Sequence, residues 1–244
     1  MTAVYINSPI AMSYLKTPSA GITGFENPCT PYLKDSLNLD DLFVHSKHSM
    51  RLVESPLTSF SLGIEVNDWL LLDAALVPLP SDVVLFEVNN EYCIAIWSEV
   101  YRLAQINPVH FNEVNVLGVI TLSVHHLRKP PKLPFNENLC DINFHQLLVE
   151  REYATIFCRA SGLSMLPYIH DKDILVLERH LDVNEGDVAI VAFNNDLVVK
   201  RVGLQERQLY SDNNQFKPIT VNKSDYLKLH GVVRYSLRLH RSLN

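Results

Sequence analysis

The sequence predicts a mostly β protein: two tandem copies of a compact, curved β domain behind an extended N-terminal arm. Three observations predict it. First, short β-type runs alternate with turn signals; in the second half they cover 154–160, 174–178, 187–193, 197–202 and 231–239. Frequent turns between short strands indicate antiparallel pairing. Second, sliding the chain by 105 residues lays Leu37–Trp97 over Ile142–Val202 without a gap, and 13 of these 61 positions are identical. Unrelated sequences of average composition would share roughly four. Third, prolines cluster where a chain would enter and leave a domain.

The arm spans residues 1–35. It carries Pro9, Pro18, Pro28 and Pro31 with Gly21 and Gly24, which break helices and leave the backbone extended. The first β copy spans 36–128. A stiff linker follows over 129–140, opened by RKPPKLP, and the second copy spans 141–244. The repeat pairs Asn38 with Asn143, Asp68 with Asp173, Leu76 with Leu181 and Asp82-Val83 with Asp187-Val188. Asn89-Asn90 falls on Asn194-Asn195, so one hairpin turn recurs. Leu117-Gly118-Val119-Ile120 resembles His230-Gly231-Val232-Val233 at an offset of 113, eight residues longer than 105.

Composition excludes several classes. A net charge of −6 argues against a broadly basic nucleic-acid surface, and the arm shows no helix-turn-helix periodicity, so direct sequence-specific DNA binding is not expected. Cys29, Cys93, Cys140 and Cys158 fit no zinc spacing and read as reduced thiols of a cytoplasmic protein. His125 and His126 are neighbours on a strand, point to opposite faces and would not share a metal. The stretch Trp69–Leu79 is interrupted by Asp73 and Pro78, too short to span a membrane. No metal or cofactor is expected.

The second copy carries the chemistry. A serine hydroxyl needs a base to become a nucleophile, and lysine serves if burial keeps it neutral. Lys200 lies in the apolar run LVVKRV; alternation puts Val198, Lys200 and Val202 on one strand face and turns Arg201 towards water. Ser164 follows a strand, in ASGLSMLP, where Gly162 permits the tight bend that can aim a hydroxyl and backbone N–H groups at one point. A serine in a turn and a lysine on a strand are, taken singly, commonplace. Their surroundings make the case.

Those surroundings resemble the LexA and UmuD family of self-cleaving serine–lysine peptidases. The matching segments are ASGLSM at 160–165, Asp171-Lys172-Asp173 leading into ILVLE, Glu185-Gly186-Asp187-Val188, VVKRV at 198–202, Leu209-Tyr210 through Asn213, Pro218-Ile219 and HGVVRYSLR at 230–238. The resemblance implies a curved β fold, Ser164 as nucleophile, Lys200 as general base, and the backbone N–H groups of Leu163 and Ser164 as oxyanion donors. It also implies cleavage before a glycine of the chain's own arm, prompted by the RecA filament on single-stranded DNA. By register with the family's UmuD branch the bond is Thr23–Gly24; by residue type it is Ala20–Gly21. That branch implies a DNA-damage (SOS) role in which the trimmed form assists an error-prone translesion polymerase. A non-enzymatic interaction module, or a self-cleaving regulator of gene expression acting through a partner, are the rival expectations.

The first copy reads as degenerate. Ser59 falls on Ser164, but Ala95 falls on Lys200, and Glu54-Ser55-Pro56-Leu57-Thr58 replaces the glycine-bearing turn. On this reading a dimer is written into one chain, an intramolecular pseudo-dimer in which the halves pair at high effective concentration.

Overall fold

The computed structural model describes residues 3–5, 37–106, 114–133, 139–194 and 196–241. Its strands join one mostly antiparallel β sheet. In chain order they are β1 (Ala3–Tyr5), β2 (Met50–Glu54), β3 (Trp69–Asp73), β4 (Val83–Val88), β5 (Glu91–Ile96), β6 (Asn115–His126), β7 (Thr155–Ser161), β8 (Ile174–Glu178), β9 (Val188–Phe193), β10 (Asp196–Gly203), β11 (Gln208–Tyr210), β12 (Ile219–Thr220) and β13 (Leu227–Leu239). Among the described residues three helices accompany them: α1 (Leu39–Phe43), α2 (Trp97–Ile106) and α3 (Phe144–Leu148).

Local chemistry explains the elements. WLLLD in β3 and ILVLE in β8 are continuous apolar runs closed by an acid, and every residue in both is buried, as a central strand demands. Asn38 and Asn143 cap α1 and α3 by accepting from Asp40 N and Gln146 N. The β4–β5 hairpin turns through Asn89 and Asn90 at φ 53° and 63°, the left-handed pair that a two-residue type I′ turn requires. Asn194, in the matching β9–β10 turn, has φ 46°.

Strand registers repeat across the chain. Met50 faces Asp73 in β2–β3, and 105 residues on Thr155 faces Glu178 in β7–β8. Val84 faces Ala95 as Ala189 faces Lys200. The long strands β6 and β13 keep step at an offset of 113, including their irregularities: β6 shifts register at Thr121, opposite Leu71/Leu72 of β3, and at Leu117, opposite Leu85/Phe86 of β4, and β13 shifts at Arg234 and His230. At the last shift only glycine fits, because a Cβ on Gly231 would meet Glu178 O at 2.7 Å.

The halves join where β6 pairs with β13. Val124 faces Leu237, a pair that maps onto itself when 113 is added to the first number. His126–Tyr235 and Leu122–Leu239 then exchange places. A shared core surrounds this seam, with Leu39, Trp69, Leu71 and Val124 from one half packed on Phe144, Ile174, Val176 and Leu237 from the other. Two ion pairs flank it in matching positions, Arg128 with Asp187 and Arg241 with Asp82. At the helices Asp40 accepts from Phe144 N and His145 N, while His145 Nδ1 accepts from Leu39 N.

α2 is the clearest departure from repetition: it follows β5 where the second half continues β10 and adds β11 and β12. Among the described residues no helix is long and apolar enough to cross a membrane.

Because one core spans both halves, Leu237→Ala is expected to lower stability by about 2–5 kcal/mol while leaving a single cooperative transition. Urea unfolding followed by both fluorescence and circular dichroism checks this; two separated transitions would show that the halves melt independently.

Candidate active site

Ser164 and Lys200 come together. Lys200 Nζ donates to Ser164 Oγ at 2.6 Å, and both residues are buried, 0% and 2% exposed. Two strands bring them there. β7 runs out at Ser161, and Gly162, at φ 103°, turns the chain into the loop that holds Ser164. β10 delivers Lys200 from the neighbouring hairpin, with Val198 and Val202 in one apolar cluster with Ala189, Val191 and Leu209.

The serine loop is braced on several sides. Asp171 Oδ1 accepts from Gly162 N at 2.9 Å, and Asn213 donates from its backbone to Ser164 O and from Nδ2 to Leu163 O, both at 3.0 Å. Met165 and Ile169 anchor the loop in the core beneath β7, β8 and β9. Asp173 fixes the far end of the loop: it accepts from His170 N, Ser236 Oγ and the Arg238 guanidinium.

Burial drives the Lys200 ammonium down from its ordinary 10.5 to about 8, against a smaller upward pull from Asp212. Asp212 is held in a two-point ion pair by Arg201, at 2.7 and 2.9 Å. Alternation does turn Arg201 away from Lys200 towards the surface, where it stays part-exposed and also grips Asp212 and Gly186 O, partners the sequence did not name. An amine neutral near pH 8, in hydrogen-bond contact with a buried hydroxyl, can take that hydroxyl's proton as the oxygen attacks a carbonyl.

The matching positions in the first half differ. Ala95 sits on β5 opposite Val84, packed against an apolar cluster. Ser59 is tied into a small bridge, its N–H donating to Ile64 O and its carbonyl accepting from Ile64 N. The candidate cleavage residues Ala20, Gly21, Thr23 and Gly24 lie outside the described residues. Cys93 and Cys158 are free thiols. His125 Nδ1 contacts Asp68, while His126 packs edge-on against Trp69, so the two imidazoles do diverge. No cluster of potential metal ligands occurs among the described residues.

Residue-by-residue reading of the sequence did not assign roles to Asn213, Asp171 or Arg238. Their signals were present in the acidic turn, in the stretch through Asn213 and in HGVVRYSLR, but what each grips is far away in the chain and no spacing rule exposes it.

The profile of the Peptidase S24-like family matches residues 130–234. Protein MucA of Salmonella typhimurium is 34% identical over 103 residues, covering 41% of this chain and 70% of MucA, and MucA of Escherichia coli matches to the same extent. The LexA repressor of Pseudoalteromonas atlantica is 36% identical over 72 residues, 28% of this chain and 35% of the repressor. With its β fold and these relatives, the chain belongs to the LexA/UmuD family of self-cleaving, S24-type peptidases.

Proposed function

We propose that this chain is a serine–lysine peptidase that trims its own N-terminal arm in the DNA-damage response, with Ser164 as nucleophile and Lys200 as general base. The observation that carries the reading is the buried 2.6 Å contact between Lys200 Nζ and Ser164 Oγ. Neutral Lys200 takes the hydroxyl proton as Oγ bonds to the carbonyl carbon before Gly24 or Gly21. The N–H groups of Leu163 and Ser164 receive the developing oxyanion. The intermediate collapses, the C–N bond breaks, and the lysine ammonium returns its proton to the leaving amine. Water, deprotonated by the same lysine, then releases the acyl-enzyme.

The tandem domain division is part of this proposal: residues 36–128 and 141–244 are two copies, joined by the linker over 129–140 and paired as an intramolecular pseudo-dimer. Matching registers, the self-mapping Val124–Leu237 pair and the paired Arg–Asp bridges support it. The first copy is catalytically dead. It lacks the amine, and the N–H of Ser59 is engaged by Ile64 O. Similarity to MucA, a UmuD-like protein, supports placing the trimmed form with an error-prone translesion polymerase and placing the RecA filament upstream as the trigger. The cytoplasm is the matching compartment.

Incubation of the purified protein should release the arm at a rate that climbs with pH and levels off above about 8, where Lys200 is neutral. Intact-mass measurement reads the cut. Ser164→Ala and Lys200→Ala should each slow it by about 10³-fold or more, and Ser59→Ala should not change it. A chain that stays whole under these conditions would instead be a non-enzymatic interaction module.

Lys200→Met should raise stability at pH 7. Between about 8 and 10.5 the unfolded lysine binds a proton that the folded one does not, so the wild type gains stability as pH rises through that window. The variant's advantage is therefore largest below pH 8, on the order of 3 kcal/mol, and shrinks towards pH 10.5. Denaturant melts at pH 7 and pH 10 measure it; an advantage that grows with pH would contradict a neutral, buried amine.

A further inference from the structure

β1 lies between the two strands that deliver the serine and the lysine. Ala3, Val4 and Tyr5 face Ser161, Ala160 and Arg159 on β7, and Ala3 also faces Val198 on β10. Both pairings are antiparallel, so the N-terminal end of β1 points towards the dyad: Ser164 lies three residues beyond Ser161, and Lys200 two beyond Val198. The backbone parity of β7 fixes which groups meet. Ala160 donates to Asp173 O and accepts from Lys172 N on the β8 side, so the N–H and C=O groups of Arg159 and Ser161 face β1. In the first half the corresponding strands β2 and β5 have no strand between them among the described residues.

Two open edges converging on a reactive site are a place for an extended peptide, which satisfies their backbone groups by strand addition. Resting on the peptidase reading above, we infer that the β7 and β10 edges form a peptide groove whose resident occupant is the chain's own Ala3–Tyr5 strand. Self-cleavage then waits on that strand's withdrawal. While residues 3–5 hold these edge positions, the candidate bonds at 20–24 cannot hold them. Three residues make a short strand, held by few backbone bonds, and so short a strand opens at low cost. The occupant is thus a competitor rather than a lock.

The groove and its gating are tested separately. In full-length Ser164→Ala protein, which does not cut itself, hydrogen exchange at the Arg159 and Ser161 amides should be slow. It should quicken in the same protein lacking residues 2–5, or carrying Tyr5→Pro, which removes an N–H aimed at β7. A synthetic peptide of residues 1–7 should slow it again. Unaltered exchange in both variants would overturn the groove assignment. In the active chain, loss of residues 2–5 should speed self-cleavage at pH 8 by about tenfold if β1 fills the groove about nine-tenths of the time, and the peptide should reverse the gain. An unchanged or slower rate overturns the gating. If neither active chain cuts itself, the peptidase reading fails, while the exchange data still decide whether the groove binds this strand.

Discussion

Where β6 pairs with β13, Val124 and Leu237 face each other, and strand registers on either side of that pair match at offsets of 105 and 113. An antiparallel pair of equivalent strands permits a two-fold relation, because each strand meets the other in the same register. The seam core buries Trp69, Tyr235, Phe144 and Leu71. Strands β7, β8, β9 and β10 hang from β13, so the buried lysine depends on the seam for the strand that backs its hairpin.

On the tandem reading, a repeated fold does not give repeated chemistry. Lys200 and Ala95 occupy matching places on matching hairpins, opposite Ala189 and Val84. Burying an amine costs stability because the charged form loses its hydration, and an alanine at the same place avoids that cost. On the tandem reading the first half keeps what pairing needs, its seam residues and its Asp82, and has shed the amine. The helices show a second asymmetry: Asp40 and His145 stand in matching positions yet differ, and each serves backbone groups of the opposite helix. Two aspartates there would place like charges together, so this contact favours unlike halves.

Much of the architecture was legible in the chain. The mostly β character was legible from short apolar runs and turn residues, and the offset of 105 that aligns Asn38 with Asn143 also separates the registers Met50–Asp73 and Thr155–Glu178. The motifs pointed to Ser164 and Lys200, which the fold brings into contact, and apolar neighbours on the strand foretold a depressed amine. Other features were not. α2 begins at Trp97, where the alignment of the halves ends, so no partner sequence flagged it. Arg201 was assigned to water because alternation gives a face and not a partner; Asp212 arrives from a later loop. Ala3–Tyr5 is too short for any periodicity, and the strands it joins are more than 150 residues away.

That last strand bears on how one active site can discriminate among segments of its own chain. A groove that binds backbone accepts many sequences, since strand addition reads N–H and C=O groups before side chains. Selectivity must then come from which segment reaches the edges and stays. A weakly held resident strand supplies such a threshold: a competing segment must bind better than Ala3–Tyr5 or be delivered at higher local concentration. An outside partner that grips the arm could act by either route without altering the dyad, leaving the 2.6 Å contact ready before the substrate arrives.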